Sequence, residues 1–304
     1  MKIVACSNGT QLASSIAART HIPMLEPTIR KFSDNEVFIE IAEELAGDDI
    51  FVVQSTSYPV NDNILELAIM LDTLKRIGVK NIVPIIPYLG YGRQDGHGEA
   101  RSQSIAAKLI ANILSLSGAN GLITLELHSK QTVGFFDIPI QHLSTSFLFS
   151  SDIREKYDLS KVAIVSPDVG GVARARTIAT ALNVPLIVVD KKRKVEQIVG
   201  TTRIVGDMSK MNCIIIDDIV DSGQTLCYVA DVAVRNGAAS VSAYVTHGVL
   251  SELAIERIRN SVLCRLVITD SIPCGHKDKK LDKTTTLTVV DLLAAAVLSY
   301  KMSR

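Results

Sequence analysis

Cys213-Ile214-Ile215-Ile216-Asp217-Asp218-Ile219-Val220-Asp221-Ser222-Gly223-Gln224-Thr225 joins an apolar run, a pair of acids and a small-residue turn, and a helical pattern follows it. An apolar run that does not alternate reads as a strand buried on both faces, as in a parallel sheet covered by helices. Similar runs recur at 3–5, 50–53, 81–86, 122–126, 162–166, 185–189, 241–246 and 263–269, separated by longer segments with helical spacing. That rhythm is a succession of βαβ units and predicts the α/β class. Among the helices, 63–77 places Ile64, Leu65, Leu67, Ala68, Leu71, Leu74 and Ile77 on one face, with Asn61 or Asp62 as the expected cap and Gly78 as terminator. Others are expected from about Thr225 to Asn236-Gly237 and from Ser251 to about Asn260.

At 304 residues, with 47% hydrophobic and 21% charged residues, the chain is long enough for two domains, each with its own core. No linker rich in Pro, Gly or Ser separates them, and the strand count places the boundary near 141–151. Lys plus Arg equals Asp plus Glu at 32 each, which removes the electrostatic footprint of a nucleic-acid or membrane-surface binder. An anionic ligand must then be met by local groups. The five cysteines, Cys6, Cys213, Cys227, Cys264 and Cys274, are odd in number and show no CxxC spacing, which argues against a disulfide framework or zinc site and fits a reducing cytosol. MKIVACSNGT at 1–10 turns polar after one short apolar run, and no stretch approaches the ~20 apolar residues a membrane span needs, so a cytoplasmic protein is expected.

In an open parallel sheet, ligands sit beyond the carboxyl ends of the strands, so the residues after each apolar run bear the chemistry. Asp217 and Asp218 suit neighbouring sugar hydroxyls, while Asp221, Ser222, Gly223, Gln224 and Thr225 let backbone N–H groups converge on a phosphate at a helix N-terminus. On physical grounds this is a ribose 5-phosphate cradle. The same residues also suit a strand-end turn with solvated aspartates.

The apolar run with DDIVDSGQT at 217–225 resembles the binding signature for phosphoribosyl pyrophosphate shared by type I phosphoribosyltransferases and ribose-phosphate pyrophosphokinases. From about Phe32 to Asp291 the chain is similar, collinearly, to the pyrophosphokinases. The resemblance implies two phosphoribosyltransferase-like domains, each a mainly parallel sheet flanked by helices, over 1–145 (joined by the C-terminal helix near 287–304) and 146–286. It implies transfer of pyrophosphate from MgATP to the 1-hydroxyl of ribose 5-phosphate, with Mg²⁺ as cofactor and ATP as substrate. It also implies a homo-oligomer, a hexamer or smaller even assembly.

Residue by residue, Lys31-Phe32-Ser33-Asp34-Asn35-Glu36 resembles the loop that reaches the adenine across a subunit interface, with Phe32 stacking and Asp34 and Glu36 hydrogen-bonding. Without the resemblance, it reads as a capped turn. Pro87 to Asp95 resembles the start of a catalytic loop in which Arg93 and Gln94 contact ATP, a role suited to the planar fork of Arg. His128, after Leu125-Glu126-Leu127, matches a histidine that takes part in binding the Mg-nucleotide, although Mg²⁺ prefers oxygen. Asp168, Gly170 and Gly171 match the loop for the second metal and the pyrophosphate, and Lys191 and Arg193 match the two basic catalytic positions.

Two departures stand out. After Asp95 the chain reads Gly96-His97-Gly98-Glu99-Ala100-Arg101, less basic than usual in the family and one residue longer before Ala107-Lys108. Glu43-Glu44-Leu45-Ala46-Gly47 replaces a segment that usually contains Arg, and the chain ends at Arg304 without the familiar Ser- and Phe-bearing tail, so weak or absent phosphate activation and ADP inhibition are expected. Two rival readings are a type I phosphoribosyltransferase and a non-catalytic subunit that regulates active ones.

Overall fold

The computed structural model describes residues 1–96, 103–191, 202–273 and 281–302, which divide into two units. The first comprises Met1–Leu143, Ser271–Pro273 and Thr288–Arg304, and the second Ser144–Asp270 and Cys274–Leu287.

The first unit runs β1 (Lys2–Ala5), α1 (Thr10–Thr20), β2 (Met24–Leu25), β3 (Thr28–Lys31), β4 (Val37–Glu40), β5 (Asp49–Val53), α2 (Val60–Ile77), β6 (Asn81–Ile86), α3 (Ala106–Ser117), β7 (Leu122–Leu125) and β8 (Ile140–Leu143). Its main sheet has the order β2-β1-β5-β6-β7-β8, with every pair parallel. β6 is buried along its whole length although it contains Pro84. Pro84 lies opposite Val52 of β5, while pairing with β7 starts only at Ile85, so the missing N–H falls where the β7 ladder has not begun. α2 buries Ile64, Leu67, Ala68, Leu71 and Leu74, and Gly78 ends it by donating its N–H to Lys75 O at 3.2 Å. It begins earlier than the apolar pattern implied: Pro59 is the N-cap, and Asn61 and Asp62 sit inside the first turn. Asp62 there favours the positive end of the helix.

The second unit runs α4 (Ser146–Lys156), β9 (Val162–Ser166), α5 (Val172–Leu182), β10 (Leu186–Lys191), β11 (Thr202–Val205), β12 (Asn212–Val220), α6 (Gln224–Arg235), β13 (Ser240–Gly248), α7 (Glu252–Arg259), β14 (Arg265–Thr269) and β15 (Thr284–Leu287). The sheet order is β11-β10-β9-β12-β13-β14-β15, parallel except for the antiparallel edge strand β11. Ile214 and Ile216 of β12 join the core with α4 and α5, while Cys213 and Ile215 join the core with α6, so the strand is buried on both faces.

α8 (Val290–Met302) belongs to the first unit. Its Tyr300 packs edge-on against Phe51 of β5 at 5.7 Å, and its Asp291 pairs with Arg19 of α1 at 2.5 Å. Among the described residues, no helix is long and apolar enough to cross a membrane.

Candidate functional site

β12 extends to Val220, so Asp217 and Asp218 lie within the strand and not, as the apolar run implied, in a loop beyond Ile216. The extension follows from β13, which continues the ladder through the pairs Ile219–His247 and Val220–Gly248. Adjacent strand residues point to opposite faces, and Asp218 starts on the α5 side, the side of Ile214 and Ile216. Arg174, in the first turn of α5, donates to Asp218 Oδ1 at 3.1 Å and stands 3.8 Å from Asp217 Oδ1. Asp217 Oδ1 also accepts the Asp218 N–H at 2.9 Å. Burial first, then the negative charge of Asp218, holds the Asp217 carboxyl well above the usual carboxylate range; Arg174 pulls it down and Asp168 pushes it further up.

Beyond Val220 the chain turns through Asp221 and Ser222 to Gly223, the N-cap of α6. The carbonyls of Val220, Asp221 and Ser222 are each tied to the α7 side. Leu250 N donates to Val220 O at 3.0 Å, Ser251 N to Asp221 O at 3.1 Å, and the Arg257 guanidinium to Ser222 O. Because a planar trans peptide sets each N–H opposite the preceding carbonyl, the N–H groups of residues 221–223 are directed away from α7. Gly223 adopts φ +71°, a conformation that favours glycine, and no side chain caps α6. Gln224 is exposed and Thr225 half-buried in that first turn. The Gln224 N–H lies 3.5 Å from Ser222 Oγ, and a helix start of this kind can receive an anion.

Asp168 follows β9, the strand next to β12. Its Oδ1 accepts the N–H of Gly171, the N-cap of α5, at 2.8 Å, and its carbonyl accepts from Ser166 Oγ at 2.7 Å. Asp168 and Gly170 are exposed. Lys191 is not in a turn after the strand, as expected, but is the last residue of β10, opposite Thr202, because the antiparallel ladder with β11 prolongs it. The carboxyl ends of β10, β9 and β12, side by side, thus carry Lys191, the Asp168 loop and the aspartate pair. Arg193 and 97–102, which contains the departure from the usual basic stretch, lie outside the described residues.

In the first unit, Phe32, Asp34 and Glu36 occupy the turn of the two-stranded β3–β4 sheet. Phe32 N donates to Glu36 O at 2.9 Å, and Asp34 Oδ1 accepts the Glu36 N–H at 3.2 Å. Phe32 is 44% exposed; it meets Phe38 edge-on, and Arg30 lies over both rings, at 4.8 and 4.2 Å. Arg93 and Gln94 follow β6, and His128 follows β7, the next strand. Arg93, Gln94 and His128 are exposed; Gln94 Oε1 accepts from Ser104 Oγ at 3.1 Å, and its carbonyl accepts the Ala107 N–H at the start of α3.

Sequence reasoning missed four residues that fix the turns and strand ends around these positions. Arg174 and Arg257 hold the strand-end acids and the turn, and only the adjacency of β9 and β12 and of the 221–223 turn and α7 reveals them. An arginine three residues after Gly171, one turn into a helix behind an acidic loop, was the available signal for the first. His142 accepts the Leu127 N–H at its Nε2, 2.9 Å away, beside His128. Glu66, in α2, accepts from Ser7 N at 2.6 Å and Ser7 Oγ at 2.8 Å, next to the start of α1.

Among the described residues, no three or more His, Cys, Asp or Glu side chains group to hold a metal by themselves. That suits Mg²⁺, which keeps waters and binds through one or two carboxylates plus substrate phosphates. The exposed Asp168 carboxylate is such a donor; the imidazole of His128 is a softer match.

The chain matches the family model described as the N-terminal domain of ribose phosphate pyrophosphokinase over residues 1–118, and that of the phosphoribosyl transferase domain over 147–271. A ribose-phosphate pyrophosphokinase from Granulibacter bethesdensis is 46% identical over 297 residues, covering 98% of this chain and 96% of that protein. One from Agrobacterium fabrum is 45% identical with the same coverage. A crystal structure of phosphoribosylpyrophosphate synthetase from Mycobacterium smegmatis matches with a TM-score of 0.93 and 32% identity, covering 100% of this chain and 99% of that one.

Proposed function

The chain belongs to the ribose-phosphate pyrophosphokinase family and forms phosphoribosyl pyrophosphate, and on that premise we propose that it takes the pyrophosphoryl group from MgATP, releasing AMP. The observation that carries the sugar-phosphate end of this reading is the Asp217–Asp218 pair running into a turn whose carbonyls are tied back to α7. Ribose hydroxyls meet the carboxylates, and the 5-phosphate meets the N–H groups from Asp221 to Thr225 at the start of α6.

Asp168 would hold Mg²⁺ together with substrate oxygens, and the chemistry such an ion would supply there is neutralisation of phosphate charge. Gly170 and Gly171 admit the pyrophosphoryl group, Lys191 and Arg193 stabilise its developing charge, and Arg93 and Gln94 contact ATP. His128 takes part in holding the Mg-nucleotide. Phe32 stacks on adenine, with Asp34 and Glu36 beside it, in a neighbouring subunit's site, which makes the working form a homo-oligomer. The 1-hydroxyl attacks the β-phosphorus in line, so positioning and charge neutralisation account for most of the rate. The site of action is the cytoplasm. Regulation by phosphate and ADP is weak or absent: Glu43, where the family usually has an Arg-containing segment, is 3.6 Å from Lys2.

The test is to incubate the protein with MgATP and ribose 5-phosphate and follow AMP, with and without added phosphate. AMP that appears only with the sugar phosphate, at a rate indifferent to phosphate, is the expected result. No AMP from folded protein overturns the reading in favour of a regulatory subunit.

A further inference from the structure

We propose that Arg174 is a positioning residue of the sugar-phosphate site, clamping the Asp218 carboxylate and offsetting the charge of the Asp168–Asp217–Asp218 cluster so that an anionic sugar phosphate can enter. The inference rests on the reading that these acids bind ribose 5-phosphate.

Asp218 is 4% exposed, and its Oδ1 is held at 3.1 Å by a guanidinium whose own side chain is only 14% exposed. A buried carboxylate bound in this way has one orientation. The same Arg174 nitrogen lies 3.8 Å from the Asp217 Oδ1, so one side chain ties the two acids at the strand end. The pair and Asp168 place three acids where a dianionic sugar phosphate has to dock. Repulsion between like charges in a partly desolvated site is several times stronger than in water. Arg174 removes one of those charges before substrate or metal arrives. α5 sets its position: its N-cap is Gly171, whose N–H is fixed by Asp168, so Arg174 stands in the first turn, directly behind the loop.

Arg174 does not touch the sugar or phosphates in this account, so its effect falls on affinity for one substrate. Arg174→Met and Arg174→Lys are compared with the unaltered protein by AMP release, titration calorimetry with ribose 5-phosphate, and thermal melting. Loss of a hydrogen bond to a charged group raises KM for ribose 5-phosphate about tenfold or more in Arg174→Met, with KM for ATP within about twofold. Arg174→Lys, which keeps the charge but lacks the planar fork, falls in between. A variant with a lower melting temperature and an unchanged KM for ribose 5-phosphate overturns the inference and makes Arg174 a purely structural ion-pair partner. If Arg174→Met does not fold, Arg174→Lys decides by the same ratio of the two KM values. Unaltered protein that fails to bind ribose 5-phosphate overturns the underlying reading as well, whereas normal binding in the unaltered protein and both variants overturns this inference alone.

Discussion

The turn that leads into α1 in the first unit and the turn that leads into α6 in the second share one plan, strand to small-residue turn to helix, and deal with their backbone N–H groups in opposite ways. In the first unit, Ser7 N donates to Glu66 Oε1, Asn8 N to Gln54 Oε1 at 2.9 Å, and Gly9 N to Cys6 O at 2.9 Å. The carboxylate of Glu66, 4% exposed, occupies the place an anion would take, and burial together with its charge pushes the Cys6 thiol up. In the second unit it is the carbonyls of residues 220–222 that are engaged, by α7 and its approach. A parallel sheet supplies several helix starts, and the residues around each decide whether it closes on itself or faces a ligand.

Breaking the second turn has the largest expected effect. Asp218→Asn should lower AMP release by about 10²–10³-fold, as removal of one positioned charge does elsewhere, while Glu66→Gln, in the closed turn, should leave release per folded molecule within about threefold in the same assay. Gly9→Ala and Gly223→Ala separate the turns by stability. A Cβ at Gly9 would lie 2.1 Å from Val53 O, backbone that has to move, whereas at Gly223 it would meet the flexible Ile258 side chain at 3.1 Å. The first should aggregate or melt far below the unaltered protein; the second should lose about 1–2 kcal/mol from the positive φ, read as a denaturant midpoint.

Glu66→Ala should lose about 1–3 kcal/mol from hydrogen-bond partners left unsatisfied. Recovery of part of that midpoint in sulfate, beyond the recovery of unaltered protein, would identify the first turn as an anion cradle closed by its own carboxylate.

The smallest effect is on pH dependence. Asp217 holds its proton more tightly folded than unfolded, so its contribution to stability declines as pH rises from the unfolded carboxylate range through the raised folded value. Asp217→Asn should therefore raise the melting temperature of ligand-free protein more at about pH 8 than at about pH 4. An equal gain at both would show that Arg174 already neutralises the pair.

The apolar runs were legible because a strand buried on both faces is largely apolar, and β1, β5, β6, β7, β9, β12 and β14 carry such runs, while β13 keeps the buried polar residues Ser242, Thr246 and His247. β8 (IQHL), β11 (TRIV) and β15 (TTTL) were not, because edge or near-edge strands are short and polar and gain their pairing from a neighbour far along the chain. β12 was cut short at Ile216 for a related reason: nothing local distinguishes an acid that ends a strand from an acid inside one, and β13 decides it. Within the site, the acids, glycines and serine of 217–225 were readable as a strand-to-helix turn. The arginines that orient them were not, since Arg174 and Arg257 stand 44 and 35 residues away from the atoms they hold.

By itself the sequence determined the α/β class and the family, because hydrophobic periodicity and the order of acids and small residues after each apolar run are local properties of the chain. Tertiary structure alone decided which of two similar turns is closed by an internal carboxylate and which arginine clamps the aspartate pair. Those contacts depend on strand order in the sheet, which brings together residues that no spacing along the chain relates.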